Sequence, residues 1–355
     1  MDCIKILNTI RANATDMYRD RVPEATLTNL ADVGNPILEY EIVANEFIST
    51  LINRIVKTLV INKRFTNPLA KFKGESLPFG YSIQNIYTNP VKAESFAVAD
   101  EDIVTKTMKK SLPDTKVEYF SMNRQDTYPI TISEDMLQTA FTSYENLTAF
   151  IDGIFNAMYS GDSIDEFSLM KSLFTSALED NKVVSVCVES DVDGEEVEFD
   201  TTEFVKLIKN FGSLFKFPSS DYNKYSSVKG NEETDLITWT EETDLLFLCE
   251  SKILNDIDVD VLARAFNIDK VTFMGQVTEI DNFPTITDTT NGVKITPVAV
   301  LCDRHVIKAF DNKFKVAEFT NGRLLTTNYW LHHWETLSLS LMANCIVFFR
   351  VETIE

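Results

Sequence analysis

Histidine and cysteine, the usual ligands of structural and catalytic metals, are scarce in this sequence. It contains three histidines and five cysteines among 355 residues, and the cysteines are scattered singly, without the spacing of a zinc or redox motif. Adjacent His332 and His333 would point to opposite faces of a strand, so they do not easily share a metal. Packing beside Trp330 and Trp334 is the interpretation that we favour for them. Scattered, odd-numbered cysteines predict reduced thiols in a cytoplasm.

Several signatures of catalysis and targeting are also missing. The sequence has no phosphate-binding P-loop, no Rossmann glycine signature, no His-Glu-x-x-His motif and no nucleophile elbow. We therefore expect no cofactor. No run of 18 apolar residues is present, which argues against a membrane span. The first residues lack the basic start and apolar run of a signal peptide.

Positive charge is in short supply and unevenly distributed. The chain has 33 Lys and Arg against 54 Asp and Glu, a net charge of -21. Residues 1–130 contain 16 basic and 16 acidic residues, whereas residues 131–355 contain 17 basic and 38 acidic residues. So acidic a surface does not suit contacts with nucleic-acid phosphates. Solubility alone accounts for the charge; the alternative is that the neutral first third of one copy lies on the acidic body of another.

A basic run interrupts this background. Four basic residues lie between positions 62 and 74, where no acidic residue occurs: Lys63, Arg64, Lys71 and Lys73. A solvated surface is the simplest interpretation. A contact with an acidic surface of another subunit would explain both the run and the charge asymmetry. We take these four residues, with the nearby aromatic residues Phe72 and Phe79, as candidates for an intersubunit contact.

One acidic loop resembles a calcium-binding loop. Its residues at positions 1, 3, 5, 6, 7, 9 and 12 of an EF-hand pattern are Glu189, Asp191, Asp193, Gly194, Glu195, Val197 and Asp200. The last position holds the shorter Asp, and a strand precedes the loop where an EF-hand has a helix. A solvated acidic turn is the favoured interpretation, and Asp191, Asp193 and Asp200 are weak candidates for a metal site.

Hydrophobic periodicity divides the chain into five regions. Residues 1–60 are predicted to form an N-terminal arm and a helix, residues 61–130 an extended loop and strands, and residues 131–180 a long helical region. Residues 181–310 alternate between strand and helix patterns, which is typical of an α/β domain. Residues 311–355 are predicted to return as closing β-strands.

Local signals refine these regions. The proline-broken segment 60–115 shows no strong core pattern but contains aromatic residues, so we expect it to be mobile in a free subunit and to order against a neighbouring copy. Ser133 is predicted to cap one helix, and Ser163 with Glu166 to form the capping box of the next. The dipeptide at 321–322, Asn-Gly, predicts a hairpin turn.

An ordered series of short segments resembles the major head proteins of phi-29-like podophages. The segments are NPLAKFKG (67–74), LPFG (77–80), IYT (86–88), NRQ (123–125), TAF (139–141), DVDVLARAFNI (258–268), MG (274–275), VTEID (277–281), YW (329–330) and WETLS (334–338). Each segment is short, but the set keeps its order along most of the chain.

The resemblance implies an α+β, HK-97-like major capsid fold with an N-terminal arm, an extended β loop, a peripheral domain with a long spine helix, and an axial α/β domain. It assigns residues 131–180 to the spine helix region, residues 181–310 to the axial domain, and residues 311–355 to strands that return to the peripheral domain. It implies a structural protein, not an enzyme, whose pentamers and hexamers form the head shell around double-stranded phage DNA. A separate scaffolding protein and a portal are implied partners, with no membrane and no specific DNA binding. The implied location is the virion capsid, assembled in the host bacterial cytoplasm.

Two alternatives remain open at this point. The first is an encapsulin-like shell of the same fold that encloses a protein cargo. Its particles would contain protein in place of DNA. A hydrolase that uses the paired carboxylates Asp258 and Asp260 is the alternative from another class. Acidic residues at the start of a helical pattern more commonly cap that helix.

Overall fold

The computed structural model describes residues 3–55, 65–77, 82–93, 110, 112–191, 199–229, 235–256 and 277–354. Within these ranges the chain forms a two-stranded, a three-stranded and a six-stranded sheet, with helices packed against them. The mixed α+β class expected from the sequence is confirmed. In the described residues, no helix is both long and apolar enough to cross a bilayer.

The N-terminal residues form helices where the sequence predicted a loose arm. The helices are α1 (Cys3–Asn13), α2 (Asp16–Arg21), α3 (Leu30–Glu39) and α4 (Glu41–Ile55). Leu7, Ile37 and Phe47 are at most 3% exposed and belong to one core that also contains Ile151 of a later helix. The prediction of an arm is wrong for residues 3–39, because short helices with few apolar positions each give only a weak periodic signal. The helix predicted after the arm is confirmed as α4.

A hairpin and a separate three-stranded sheet follow. The extended hairpin consists of β1 (Ser82–Thr88) and β2 (Thr115–Ser121), which pair antiparallel. In the peripheral sheet, β10 (Thr326–Leu339) lies between β3 (Arg124–Ser133) and β9 (Ile307–Asn321). The turn signal correctly places the β9–β10 hairpin. Asn321 pairs with Thr326, however, so the loop between them is longer than a two-residue turn.

The helical region of residues 131–180 consists of α5 (Glu134–Ala140), α6 (Tyr144–Phe155) and α7 (Gly161–Glu179). Ser133 caps α5 as predicted, because its hydroxyl accepts a hydrogen bond from the amide of Met136. The capping box predicted at Ser163 is wrong. A π-helical turn at Asn156–Ser160 joins α6 to α7 without a break, so Ser163 lies inside the helical run and is buried.

The six-stranded axial sheet lies between two helices. Its strands are β4 (Val184–Asp191), β5 (Leu245–Glu250), β6 (Val277–Ile280), β7 (Ile286–Asp288), β8 (Val293–Asp303) and β11 (Cys345–Thr353), and they follow the order β4-β11-β8-β5-β6 with β7 on β8. Leu246 packs with α7 on one face, and its neighbour Leu245 packs with α8 (Thr201–Leu214) on the other. This alternation is what a strand buried on both faces requires.

Two further sequence predictions concern the end of the chain and the helix that starts at Asp258. The region 311–355 does not return as a whole to the peripheral sheet, since β11 lies inside the axial sheet, parallel to β4 and antiparallel to β8. The short helices α9 (Tyr225–Lys229) and α10 (Ser251–Asp256) complete the described elements. The helix predicted from Asp258, and with it Asp260, lies outside the described residues.

Candidate functional site at the base of the extended hairpin

The chain approaches the extended hairpin through a base segment, residues 65–77, which is bound to its own subunit. The amide of Gly74 donates to the carbonyl of Ala309 at 2.8 Å, and the amide of Leu77 donates to the carbonyl of Asp311 at 2.7 Å. A β-carbon at Gly74 would lie 2.2 Å from a ring carbon of Phe310, so the close approach to β9 requires glycine. Leu69 is completely buried in the core under α7. The base segment is therefore part of the subunit.

Lys73 lies at the end of this segment and points into a group of carboxylates. Its amine is 2.6 Å from Glu166 of α7, 2.5 Å from Asp311 of β9 and 2.5 Å from Glu335 of β10. The lysine side chain is 14% exposed. Burial opposes its charge, but the three carboxylates outweigh that effect and raise the pKa of Lys73 above its usual range. The lysine thus fixes the base segment to both the helix and the sheet.

Arg124, the first residue of β3, brings a second cation to Glu335. One guanidinium nitrogen bonds to Glu335, and another lies 3.0 Å from Asp162 of α7. A third contact joins its Nε to Asp126 at 2.5 Å. The guanidinium is almost fully buried, where a fork of fixed donors suits several carboxylates at once.

His333 completes what we call the ion cluster: Lys73, Arg124, Asp162, Glu166, Asp311, His333 and Glu335. Its Nδ1 lies 2.7 Å from Asp162 and its Nε2 lies 3.0 Å from Asp311. Burial disfavours the imidazolium, but these hydrogen bonds outweigh it and raise the pKa of His333 to about 9. Burial also raises the pKa of Glu335, to about 7. The four carboxylates outnumber the three cations, and repulsion from Glu166 adds to the effect of burial on the pKa of Glu335.

Asp311, His333 and Glu335 are close enough to one another to hold a metal ion. The geometry disfavours that use, because the amine of Lys73 already lies at hydrogen-bond distance from Asp311 and Glu335. His333 also uses both ring nitrogens on carboxylates. The cluster is instead a buried ion-pair network that joins the base segment, α7 and the three strands of the peripheral sheet.

The extended hairpin has one face bound to its own subunit and one face in solvent. On the inner face, Glu118 accepts from the amide of Leu341 at 2.8 Å, and the hydroxyl of Tyr87 donates to the carbonyl of Ile237 at 2.7 Å. On the outer face, Ile86 is 58% exposed and Tyr119 is 71% exposed. Apolar side chains this exposed are typical of an interaction surface when they cluster.

The structure changes the assignment of several predicted contact residues. Lys73 and Phe72 were candidates for an intersubunit contact, but Lys73 is held in the ion cluster and the half-buried Phe72 packs against the core of its own subunit. Lys71 is exposed, and its amine lies 5.0 Å from the centre of the Phe72 ring. Lys63, Arg64 and Phe79 lie outside the described residues. Residues 65–77 and the hairpin strands within 60–115 also bond to their own subunit, and the expected ordering of this region against a neighbouring copy stays a prediction.

The acidic loop is described only at its ends. Asp191 ends β4, and Asp200 accepts from the amide of Glu203 at 3.3 Å at the start of α8. Asp193 lies outside the described residues. Asp200 therefore has a local role at a helix start, and the metal site stays a weak prediction.

Sequence reasoning missed the ion cluster, although two signals for it were present. Asp162 and Glu166 are four residues apart on the buried side of α7, and His333 and Glu335 are two apart on the buried face of β10. Polar residues at positions where the periodicity demands apolar ones indicate a buried network. The interpretation of His333 as a packing residue was incomplete, since its ring also makes two hydrogen bonds to carboxylates.

Comparison with known proteins identifies the family of this chain. The model of the family described as Phi29-like phage major capsid protein matches residues 7–349. The chain belongs to this family. The major capsid protein of Bacillus phage PZA is 33% identical over 345 residues, 97% of this chain and 72% of that protein. The major capsid protein of Streptococcus phage Cp-1 is 29% identical over 362 residues, 98% of this chain and 94% of that protein.

The fold comparison agrees with the family. A chain from the capsid structure of Staphylococcus phage Andhra superposes with a TM-score of 0.64 at 13% identity. The superposition covers 84% of this chain and 87% of the Andhra chain. A chain from the structure of head fiber and inner core protein gp22 of native bacteriophage P68 gives a TM-score of 0.59 at 14% identity, with coverages of 82% and 86%. The protein is a structural major capsid protein of a phage virion, with the HK-97-like fold and no enzymatic role.

Proposed function

We propose that this major capsid protein forms pentamers and hexamers, and that these close into a shell around double-stranded DNA. A separate scaffolding protein and a portal take part, and assembly takes place in the host bacterial cytoplasm. The observation that supports the subunit contact best is the two-faced extended hairpin. Its inner face is held by hydrogen bonds to its own subunit, so the exposed apolar face is presented in a fixed orientation.

The outer face of the hairpin is suited to a neighbouring subunit. Ile86 pairs with Val117 in the register, and Gln84 pairs with Tyr119, so the four side chains form one strip on the same face. Because β-pairing holds this strip flat and ordered, little side-chain entropy is lost when a partner covers it. Lys71, with Lys63, Arg64 and Phe79, adds the proposed contact with an acidic neighbouring surface.

The DNA is enclosed without specific binding. The chain carries a net charge of -21, and such a subunit repels a phosphate backbone more than it attracts one. Nuclease-protected double-stranded DNA in purified particles is the expected content. A protein cargo in place of DNA would favour the encapsulin-like alternative.

The experiment that tests the contact is Ile86→Glu, with Ile86→Val as the matched control. The buried charge at an intersubunit strip should prevent particle formation, whereas Val preserves the apolar contact and should assemble normally. Particle yield is measured by sedimentation and electron microscopy, and circular dichroism of the unassembled subunit shows that the fold is kept. Normal particles from folded Ile86→Glu protein would show that the outer face is not a subunit contact.

A further inference from the structure

Two buried cysteines lie opposite each other on neighbouring strands of the axial sheet, away from the ion cluster. The register of β8 and β11 places Cys302 directly opposite Cys345. Both are free thiols, 0% and 4% exposed. Both side chains lie in the same core, with Leu246 and Val347, so they project to the same face of the sheet.

The backbone hydrogen bonds identify the type of pair. The amide of Asp303 donates to the carbonyl of Asn344 at 2.9 Å, at the next position of the ladder, and the amide of Cys345 donates to Tyr222 instead of Cys302. Cys302 and Cys345 therefore form a non-hydrogen-bonded antiparallel pair, in which the α-carbons are about 4.5 Å apart and the side chains are closest. This separation lies within the range of disulfides, which is about 4.4–6.8 Å.

The pair lies at one end of the axial sheet. Cys302 is the last residue but one of β8, which ends at Asp303. Cys345 is the first residue of its strand, so opening of this end exposes it before the middle of the sheet.

We propose that Cys302 and Cys345 form a disulfide within the subunit when the protein leaves a reducing compartment and meets a peroxide. The thiolate of Cys345 attacks one oxygen of hydrogen peroxide, and the O–O bond breaks. That oxygen stays on the sulfur as a sulfenic acid, and the other oxygen departs as hydroxide. The thiolate of Cys302 then attacks that sulfur and releases a second hydroxide. The two protons lost by the thiols convert both hydroxides to water, so two thiols are oxidised and one peroxide is reduced.

The disulfide would join the two ends of a long segment of the chain, residues 302–345. Between Cys302 and Cys345 the chain leaves the axial sheet, forms β9 and β10 of the peripheral sheet, and comes back. A disulfide closes this loop and restricts the unfolded chain. The hydrogen bond that the Cys302 thiol donates to Cys345, together with burial, raises the pKa of Cys302, so oxidation at neutral pH is slow and accelerates in alkaline solution.

The test uses the full chain in a Cys187→Ser background, because Cys187 is exposed and would react with oxidants. Purified reduced protein is treated with hydrogen peroxide, the peroxide is removed, and the protein is denatured in iodoacetamide. We expect Cys302 and Cys345 to resist alkylation, to appear as one cross-linked peptide within a single chain, and to become reactive after reduction. Cys249→Ser is the matched control, since Cys249 is equally buried but pairs with Ala299, and should leave the cross-link unchanged.

The stability of the oxidised protein gives a second measurement. The urea midpoint should be higher for the oxidised than for the reduced chain, and Cys302→Ser should abolish that difference. Full alkylation of both residues, or separate oxidation of each to a sulfinic acid, would overturn the proposal. The disulfide chemistry is independent of the assembly proposal, since particle yield and thiol content are measured separately; only its timing, after release from the host, rests on assembly in the cytoplasm.

Discussion

The amine of Lys73 lies 2.5 Å from a carboxylate oxygen of Glu335, whose side chain is fully buried. The two residues come from distant parts of the chain, and their contact joins the base of the extended hairpin to the central strand of the peripheral sheet. A buried ion pair is not by itself strong evidence of stabilisation, but removal of one partner leaves an uncompensated charge in the interior.

Replacement of Lys73 should therefore destabilise the subunit strongly. Lys73→Met leaves Glu166, Asp311 and Glu335 without their shared cation, and we expect a loss of about 3–5 kcal/mol in the free energy of unfolding. Lys71→Met is the matched control; this lysine is exposed, and the expected change is within about 0.5 kcal/mol. Urea unfolding of unassembled protein measures both. Equal stabilities of the two variants would contradict the buried cluster.

Stability should fall as the pH rises past neutrality. The pKa of His333 is raised from 6.5 to about 9 in the folded state, so its contribution is fully present below pH 6.5 and is lost as the pH rises through 9. Its full size is on the order of 3 kcal/mol. Glu335, whose pKa is raised from 4.5 to about 7, acts in the same direction at lower pH. The range from pH 7.5 to about 8.5 therefore isolates the histidine, because buried thiols such as Cys302, whose pKa is also raised by burial and a hydrogen bond to Cys345, contribute at higher pH.

The measurement is the urea midpoint across pH 6 to 10 for the unaltered protein, His333→Gln and His332→Gln. His333→Gln should flatten the slope between pH 7.5 and about 8.5. His332 is half-buried and bonds to the hydroxyl of Thr127, so its substitution should leave the slope in place. A slope that survives in His333→Gln would assign it to another group.

Gly74→Ala should weaken the attachment of the base segment. The added β-carbon would lie 2.2 Å from the Phe310 ring, so the ring or the backbone must move, and overpacking of this kind costs roughly 1–3 kcal/mol. Gly153→Ala is the control, since no atom lies within 4 Å of its β-carbon and the residue is in a helix. There the substitution should stabilise by up to about 1 kcal/mol. Thermal unfolding with opposite shifts for the two variants is the expected result.

Two serines of the helical region should respond differently to alanine. The Ser133 hydroxyl accepts from the amide of Met136 at 3.2 Å, so Ser133→Ala should cost about 1 kcal/mol. Ser160 ends the π-helical turn before α7, and its buried hydroxyl has no partner among the described residues. Ser160→Ala should be neutral or slightly stabilising. A loss at Ser160 as large as that at Ser133 would mean that its hydroxyl is used.

Much of the fold was predictable from local pattern. The alternation of strand and helix predicted over residues 181–310 includes strands such as β5 and β8, whose burial on both faces leaves a continuous apolar run in the sequence. The Ser133 cap and the β9–β10 hairpin depend on neighbouring residues alone, so they were visible as well. The capsid family was visible through many short segments in a fixed order, which no single segment would have shown.

The sequence by itself determined the charge asymmetry, the α+β class and the scarcity of metal ligands, since these follow from composition and short-range periodicity. Only the tertiary structure decided what the charges do. Lys73 lies in a basic run that suggests a surface, yet the fold brings Glu166, Asp311 and Glu335 around it. Contacts between residues hundreds of positions apart leave no local pattern, because they depend on how α7 and the two sheets pack. The same packing places Cys302 opposite Cys345, which the linear order of the chain does not reveal.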